Sequence, residues 1–145
     1  MDASDRQILA LLVEDGRRTY DDIAQRVSLS PPAVKRRVDK LRRGGTLRGF
    51  TAVIDHEALG DRTEALIELF FAPGTQLAAV ADTLRQHPEV VEAWSVTGEA
   101  DAIARVRTQD NADLERLIMD LQRDGLVQRT RSQVVMSRLV SRAGS

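Results

Sequence analysis

The stretch from Thr19 to Arg48 constrains the fold of this chain more than any other part of the sequence. Thr19 and Ser30 each precede a segment with apolar residues at helical spacing, which is the position of an N-cap. Pro31 follows Ser30 at the first helical position, where its missing N–H costs nothing. Ser28-Leu29 lies between the two segments as a short turn. The pattern therefore predicts two amphipathic helices joined by a tight turn.

A further helix is predicted over residues 2–14, ahead of this pair. Asp2 is a plausible N-cap with Asp5 three residues later, and apolar residues recur along one face. Gly44-Gly45 ends the last helix of the three, as glycine after a helix C-terminus commonly does. The segment 47–55 is rich in strand-forming residues and predicts a small wing or an inter-domain strand. The first domain is therefore predicted as a helix-turn-helix, plain or winged, over residues 1–55.

Positive charge is concentrated on the third predicted helix and just beyond it. Residues 33–49 contain one acid, Asp39, and carry a net charge of +6, whereas the whole chain carries −1. The cations are Lys35, Arg36, Arg37, Lys40, Arg42, Arg43 and Arg48. A basic island in a balanced chain is typical of a surface that binds DNA phosphates. The alternative interpretation is a cationic helix face that contacts only solvent.

The helical wheel separates the roles of these cations. Val34, Val38 and Leu41 form the buried stripe, and Arg37 lies close to it, which predicts packing or an ion pair for Arg37. The other polar positions predict DNA contacts by a recognition helix in the major groove. The candidates are Ser30, Pro32, Ala33 and Arg36 for base readout, Lys40, Arg42 and Arg43 for phosphates, and Lys35 on the flank.

The second half of the chain has a different periodicity, which predicts an α+β domain. Strands and helices are expected in the order β-α-β-β-α-β, the ferredoxin-like split βαβ arrangement. The expected strands cover residues 63–71, 90–97, 102–107 and 127–139, and the expected helices cover 76–87 and 111–124. Residues 56–62 are predicted as a linker, 63–142 as the second domain, and 140–145 as a frayed end.

Several classes of function are disfavoured by composition. The chain has no cysteine, and His56 and His87 lie in no metal-binding pattern. No catalytic or nucleotide-binding motif is present, so neither an enzyme, nor a cofactor, nor a metal site is expected. The sequence shows no signal peptide and no apolar run of about 18–20 residues, which predicts a cytoplasmic protein without a membrane segment.

Five motifs of the sequence are distinctive in combination: D-R-Q-I-L, D-G-R-R-T-Y-D-D-I-A, L-S-P-P-A-V-K-R-R-V, L-R-G-F-T-A-V-I-D and V-T-G-E-A-D. Through these motifs, the chain resembles the Lrp/AsnC, or feast/famine, transcription regulators over about residues 2–140. This resemblance implies a DNA-binding helix-turn-helix followed by a ligand-sensing RAM domain. It also implies a dimer formed through the β-sheets, assembly into tetramers or octamers, and an amino acid or related small effector bound between subunits.

The strand pattern independently agrees with a dimer. Leu66 and Phe70 share a face of the first predicted strand with two glutamates, while the opposite face is also apolar. Trp94 places a further large apolar group on the second strand. A sheet with helices on one side has no need of apolar groups on the other. This predicts that a second subunit covers that face, although burial under the first domain is an alternative.

The predicted hairpin over residues 97–101 agrees with the implied effector site. Its backbone N–H groups could bind a carboxylate, and its two acidic side chains could bind an ammonium group. The candidate effector residues are Thr97, Gly98, Glu99, Ala100 and Asp101, with hydroxyls from Thr130 and Ser132. Asp101 could instead serve only the turn. Ala100 stands where many family members carry a larger residue, which implies a wider or different pocket.

The sequence therefore predicts a sequence-specific, effector-responsive DNA-binding transcription regulator, acting at the nucleoid. Two alternatives remain. One is a nucleoid-organising protein that binds DNA with little sequence preference. The other is an enzyme like the sirohaem decarboxylases, which resemble this fold. Low aromatic content and the positions of the two histidines argue against the enzyme.

Overall fold

The first helices form because each begins at a side-chain cap, and the computed structural model, which describes residues 1–140, shows these caps directly. The helices are α1 (Ala3–Glu14), α2 (Tyr20–Val27) and α3 (Pro31–Arg43). At the start of α1, the Asp5 N–H donates to Asp2 Oδ1 and the Asp2 N–H donates to Asp5 Oδ2. This reciprocal capping box satisfies two backbone donors that the helix itself cannot use.

The turn between α2 and α3 has the predicted chemistry. The Thr19 hydroxyl accepts the Asp22 N–H at 3.2 Å, and the Ser30 hydroxyl accepts the Ala33 N–H at 3.3 Å. Ser28 ends α2 in the left-handed region, with φ of 54°. After α3, Gly45 has φ of 73°, a conformation that glycine adopts without steric cost. The helix-turn-helix prediction is confirmed.

The three helices enclose a small apolar core. Ile8 of α1, Ile23 of α2, and Val34 and Val38 of α3 are fully buried in it. These residues recur at the three- and four-residue spacings that place them on one face of each helix. The core therefore fixes which face of α3 points inward, and with it the direction of every charged side chain on that helix.

The predicted wing is absent from residues 1–140. No strand is assigned between Thr46 and Asp55, and Val53 is 93% exposed. The prediction of pairing here is wrong for this chain, because strand-forming residues need a backbone partner and no segment of the described chain provides one. The first unit is therefore a three-helix domain followed by a segment without regular secondary structure.

The second unit has the predicted βαββαβ order, and the fold-class prediction is confirmed. Its elements are β1 (Thr63–Phe71), α4 (Leu77–Arg85), β2 (Val90–Ser95), β3 (Ala102–Thr108), α5 (Asn111–Gln122) and β4 (Val127–Val134). The four strands form one antiparallel sheet in the order β2-β3-β1-β4. The two central strands, β1 and β3, pair with each other from Thr63 opposite Thr108 to Leu69 opposite Ala102.

The last strand is shorter than predicted. β4 pairs with β1 up to Ala65↔Val134, and the Val135 N–H then donates to the Glu64 carbonyl at 2.8 Å. β1 begins at Thr63, so the chain beyond Val135 has no strand left to pair with. Met136 is accordingly 91% exposed. The alternation of residues 127–139 correctly predicted a strand but not its end, because the end depends on the length of the partner.

The alternation of β1 separates a core face from an open face. Ala65, Ile67 and Leu69 are fully buried. The core cluster also contains Val106 of β3 and Leu121 of α5. The intervening residues of β1 lie on the other face of the sheet, opposite α4 and α5. The amphipathic pattern of one strand thus determines the orientation of the whole sheet.

By its internal contacts the described chain divides into two compact units, residues 1–53 with Leu139 and Val140, and residues 54–138. No helix within residues 1–140 combines the length and apolar character that a membrane span requires. Residues 141–145 lie outside the described residues. They include the end of the predicted second domain at 142 and most of the predicted frayed segment.

Truncating Leu69 to alanine should lower the free energy of unfolding of the second unit by about 2–5 kcal/mol, because the cavity would lie in a fully buried site. Leu77→Ala is the matched control. Leu77 is 53% exposed, so we expect a change within about 0.5 kcal/mol. Urea denaturation followed by circular dichroism measures both. Equal effects of the two substitutions would contradict the assignment of the core face.

Candidate functional site

The outward face of α3 is a dense array of cations. Lys35, Arg36, Lys40, Arg42 and Arg43 are all exposed, opposite the buried stripe of Val34, Val38 and Leu41. Within residues 1–140 none of these five cations forms a salt bridge. Three of them, Lys40, Arg42 and Arg43, lie in the last turn, where they also complement the helix dipole.

Arg37 differs from the other cations of α3, as its place on the wheel predicts. One of its guanidinium nitrogens, Nη1, donates to Asp2 Oδ2 at 2.6 Å and to Asp5 Oδ1 at 2.8 Å. Asp5 is only 5% exposed, so this contact lies at the edge of the helical core. The prediction of an ion-pairing role is confirmed. Arg37 links α3 to the capped start of α1.

Several acids of the first unit form ion pairs inside it. Arg18 binds Asp22 at 2.7 Å and Glu14 at 2.9 Å, and Arg26 binds Asp22 at 3.0 Å. The hydrogen bond from Arg18, followed by that from Arg26, lowers the pKa of Asp22. These acids are paired within residues 1–53, whereas the five exposed cations of α3 have no salt-bridge partner in the described chain and so form a cluster of unpaired positive charge.

The predicted base-reading residues lie at the N-terminal end of the same face. Pro32 and Ser30 are exposed and Ala33 is half-buried. The Ser30 hydroxyl is engaged as the N-cap, accepting the Ala33 N–H. Arg36 extends from the next turn and is exposed. The eight predicted DNA-contacting residues thus form one continuous surface, with small groups at one end and the cations beyond them.

A cavity of about 710 Å³ opens beside the hairpin that joins β2 to β3. Three of the predicted effector residues, Thr97, Glu99 and Ala100, line it. Gly98 forms the tip of the hairpin with φ of 121°. The Val96 N–H donates to the Asp101 carbonyl at 3.2 Å and closes the loop.

The hairpin presents a row of unused backbone donors. Within residues 1–140, no N–H from Thr97 to Ala100 donates to a protein acceptor. Ala100 is nonetheless only 7% exposed. Unpaired N–H groups beside a cavity can bind a carboxylate. Asp101 has a different role, because its Oδ2 accepts the Phe71 N–H at 2.7 Å and so ties the hairpin to β1.

Thr130 and Ser132 do not line this cavity. They pair with Leu69 and Ile67, whose side chains belong to the helix-covered face of the sheet. Arg131 between them lies on the open face and does line the cavity. Thr130 and Ser132 share one face of β4 as expected, but the strand register places Arg131, and not these two residues, at the cavity.

An ion pair that was not predicted from the sequence also lines the cavity. Glu68 of β1 and Arg131 of β4 are cross-strand neighbours, and Arg131 Nε donates to Glu68 Oε2. This hydrogen bond lowers the pKa of Glu68 and raises that of Arg131. Arg131 Nη1 also approaches Glu99 Oε2, at 3.9 Å. The available signal was the alternation of β1, which places Glu68 on the open face with Leu66.

A second, smaller groove of about 370 Å³ lies between α4 and β2. Its lining is mainly apolar, with Arg85 and Glu92 as its charged residues. Arg85 pairs with Asp82 and Glu92 pairs with Arg105, both at 2.6 Å. With its charges already paired, this groove offers less than the hairpin cavity to an ionic ligand.

Neither histidine forms part of a candidate metal site. His56 Nδ1 lies 3.3 Å from Asp61 Oδ2 within a turn, and His87 follows α4. Across residues 1–140 no group of three or more His, Cys, Asp or Glu side chains is placed to hold a metal ion.

Comparison with known proteins finds family models that match both parts of the chain. Residues 1–42 match the family model described as the AsnC-type helix-turn-helix domain, and residues 64–144 match the Lrp/AsnC ligand binding domain. The chain is 42% identical to the HTH-type transcriptional regulator Rv2324 of Mycobacterium tuberculosis, over 98% of this chain and 96% of that protein.

Two solved structures are similar and carry L-methionine. The transcriptional regulator NMB0573 of Neisseria meningitidis, in complex with L-Met, superposes with a TM-score of 0.93 at 26% identity, covering 100% of this chain and 96% of its own. The feast or famine regulatory protein Rv3291c of M. tuberculosis, complexed with L-methionine, gives 0.91 at 31% identity, covering 97% and 95%.

Acid should weaken the link between α1 and α3. The capping N–H groups and then Arg37 lower the pKa values of Asp2 and Asp5 in the folded chain. Their stabilisation is therefore present above the unfolded value of about 4 and is lost as the pH falls through the lower folded values. We expect Arg37→Gln to reduce this acid-dependent loss in melting temperature. Arg36→Gln, with no ion pair to lose, should keep the wild-type pH profile. Identical profiles for both variants would contradict the role of Arg37.

Proposed function

Because the chain belongs to the Lrp/AsnC family of transcription regulators, we propose that it is a sequence-specific DNA-binding transcription regulator whose action responds to an α-amino acid or related small effector. The observation that carries the DNA-binding part is the exposed face of α3. Its five cations have no salt-bridge partner in the described chain, whereas Arg37 on the same helix is paired with Asp2 and Asp5. Unpaired, one-sided cations on a capped helix are suited to a charged groove.

We propose that residues at the two ends of α3 make different contacts with DNA. Residues at the N-terminal end of a recognition helix reach base edges, so Ser30, Pro32, Ala33 and Arg36 are proposed to read sequence. Lys40, Arg42 and Arg43 near the C-terminal end, and Lys35 on the flank, are proposed to contact phosphates. Such a protein acts where the DNA is, so we place it in the cytoplasm at the nucleoid.

The effector part of the proposal is supported by the hairpin cavity. Unused N–H groups from Thr97 to Ala100 can bind a carboxylate, and Glu99, whose side chain is 82% exposed, can bind an ammonium group. These are the two charged groups that all α-amino acids share. The L-methionine complexes of the two structural neighbours give the same class of ligand.

Assembly through the open face of the sheet is also part of the proposal. Leu66, Ile103 and Trp94 lie on this face, and Trp94 is 47% exposed. Ion pairs lie among them, such as Arg105 with Glu92 at 2.6 Å. A second copy would cover the apolar groups and present the same self-complementary surface. We propose a homodimer as the basic unit, with tetramers or octamers built from it.

Removing one phosphate-contacting cation should change the salt dependence of DNA binding. For Arg43→Gln or Lys40→Gln, we expect weaker binding to every duplex and a slope of log K against log salt that is smaller by about one. Arg85→Gln, which alters an exposed arginine of α4, should leave the slope unchanged. Fluorescence anisotropy at several salt concentrations measures this. A wild-type slope for both α3 variants would refute the phosphate contacts.

The same titration with competitor DNA distinguishes a regulator from a nucleoid-organising protein. A sequence-specific regulator should retain its target duplex against a large excess of unrelated duplex. Equal competition by unrelated DNA would support binding with little sequence preference.

A charge placed in the open face should break the dimer. Leu66 is half-buried and lies between Arg105 and Gln133 on the neighbouring strands, so Leu66→Glu would bring a carboxylate into the proposed interface without entering the core. We expect the mass measured by light scattering to fall to that of the monomer. Leu77→Glu on α4 is the control and should keep the wild-type mass. A monomeric wild type, or an unchanged mass for Leu66→Glu, would exclude this interface.

A further inference from the structure

We propose that the Glu68–Arg131 ion pair makes the hairpin cavity selective for an amino acid with a carboxamide side chain, as in glutamine or asparagine, over one with an aliphatic or thioether side chain. The inference rests on the proposed function, because it takes an α-amino acid as the ligand of this cavity. It concerns which side chain the cavity accepts, and it assigns a role to two residues on neighbouring strands.

The hairpin determines where the common part of an amino acid lies. Thr97, Glu99 and Ala100 form one wall of the cavity, and their N–H groups have no acceptor in the described chain. A ligand that uses them for its carboxylate and ammonium groups must direct its side chain away from the hairpin. The rest of the lining comes mainly from the open face of the sheet, where Glu68, Ile103 and Arg131 lie.

The ion pair leaves hydrogen-bonding capacity unused. The hydrogen bonds of residues 1–140 engage only Oε2 of Glu68 and Nε of Arg131. Glu68 Oε1 therefore remains as an acceptor, and the terminal nitrogens of Arg131 remain as donors. Arg131 Nη1 is 3.9 Å from Glu99, which is beyond hydrogen-bonding distance. An acceptor and a donor thus lie side by side on the cavity wall.

A carboxamide matches this pair in both directions. Its N–H₂ can donate to Glu68 while its oxygen accepts from Arg131, and it adds no net charge to the site. An aliphatic side chain would cover the same groups without satisfying them, which is unfavourable. An acidic side chain would face Glu68 and Glu99, and a basic one would compete with Arg131 for the carboxylates.

The apolar lining suits the rest of such a ligand. Val96 and Ile103 are half-buried and lie in the same cavity, where they can contact the methylene groups between the amino acid backbone and the carboxamide. Ala100 leaves the hairpin side open because its side chain is a single methyl group. Glu68 is the more buried partner of the pair, with its side chain 18% exposed against 53% for Arg131.

The test measures binding of glutamine, asparagine, methionine and leucine to the full-length protein by isothermal titration calorimetry. We expect glutamine or asparagine to bind about tenfold more tightly than methionine or leucine. The double variant Glu68→Leu/Arg131→Met removes both charges together, so neither is left unpaired. It should reverse the order and favour methionine. Asp82→Leu/Arg85→Met, which removes an exposed ion pair of α4 outside the cavity and the open face, should keep the wild-type order.

The possible results separate this inference from the proposed function. If the wild type binds methionine or leucine as tightly as both carboxamides, the selectivity is wrong but the amino-acid sensor stands. If the wild type binds no amino acid at all, the effector part of the proposed function fails, and this inference fails with it. The wild-type comparison alone decides the selectivity, so the result does not depend on the double variant being folded.

Discussion

Burial of one apolar stripe on α3 determines the functional character of the first unit. Val34 and Val38 pack into the core formed with α1 and α2, and Leu41 is buried on the same side of the helix, so the helix presents its opposite face outward. The helical repeat then determines which cations of α3 are exposed. Of its six cations, Arg37 lies at the edge of the core and pairs with acidic residues, and the other five are exposed without a salt bridge in the described chain.

The same separation of faces operates in the second unit, with the two-residue repeat of a strand in place of the helical repeat. One face of β1 is fully buried under the helices, and the other carries Glu64, Leu66 and Glu68. Arginines on β3 and β4 pair with these glutamates across the strands. The open face is therefore both apolar and charge-paired. Its end beside the 97–101 hairpin forms the cavity wall that we propose to select the effector.

Features that depend on local chemistry could be predicted from the sequence. The caps at Asp2, Thr19 and Ser30 involve residues three positions apart, and they form as expected. Arg37 could also be assigned, because its angle on the wheel leaves it beside the core. The alternation of residues 63–71 determined β1 without knowledge of its partners.

Features that depend on a partner strand could not be predicted. Residues 47–55 have strand-forming side chains, but the described chain offers them no backbone to pair with. The end of β4 is set by the start of β1. The pairing register of β4 against β1 places Arg131, rather than Thr130 or Ser132, at the cavity. A shift of one residue exchanges the faces of a strand, so the site residues on β4 follow from the register and not from residue type.

The central claim, that the outward face of α3 binds DNA, has a direct chemical test because Lys35 and Lys40 are the only lysines in the chain. Both are exposed on that face. Acetylation by an amine-reactive ester, followed by mass spectrometry, would compare the free protein with protein saturated by duplex DNA, with an added lysine-containing peptide as the reference amine. We predict that DNA slows acetylation of both lysines relative to the reference peptide. Equal rates at both lysines with and without bound DNA would contradict the account.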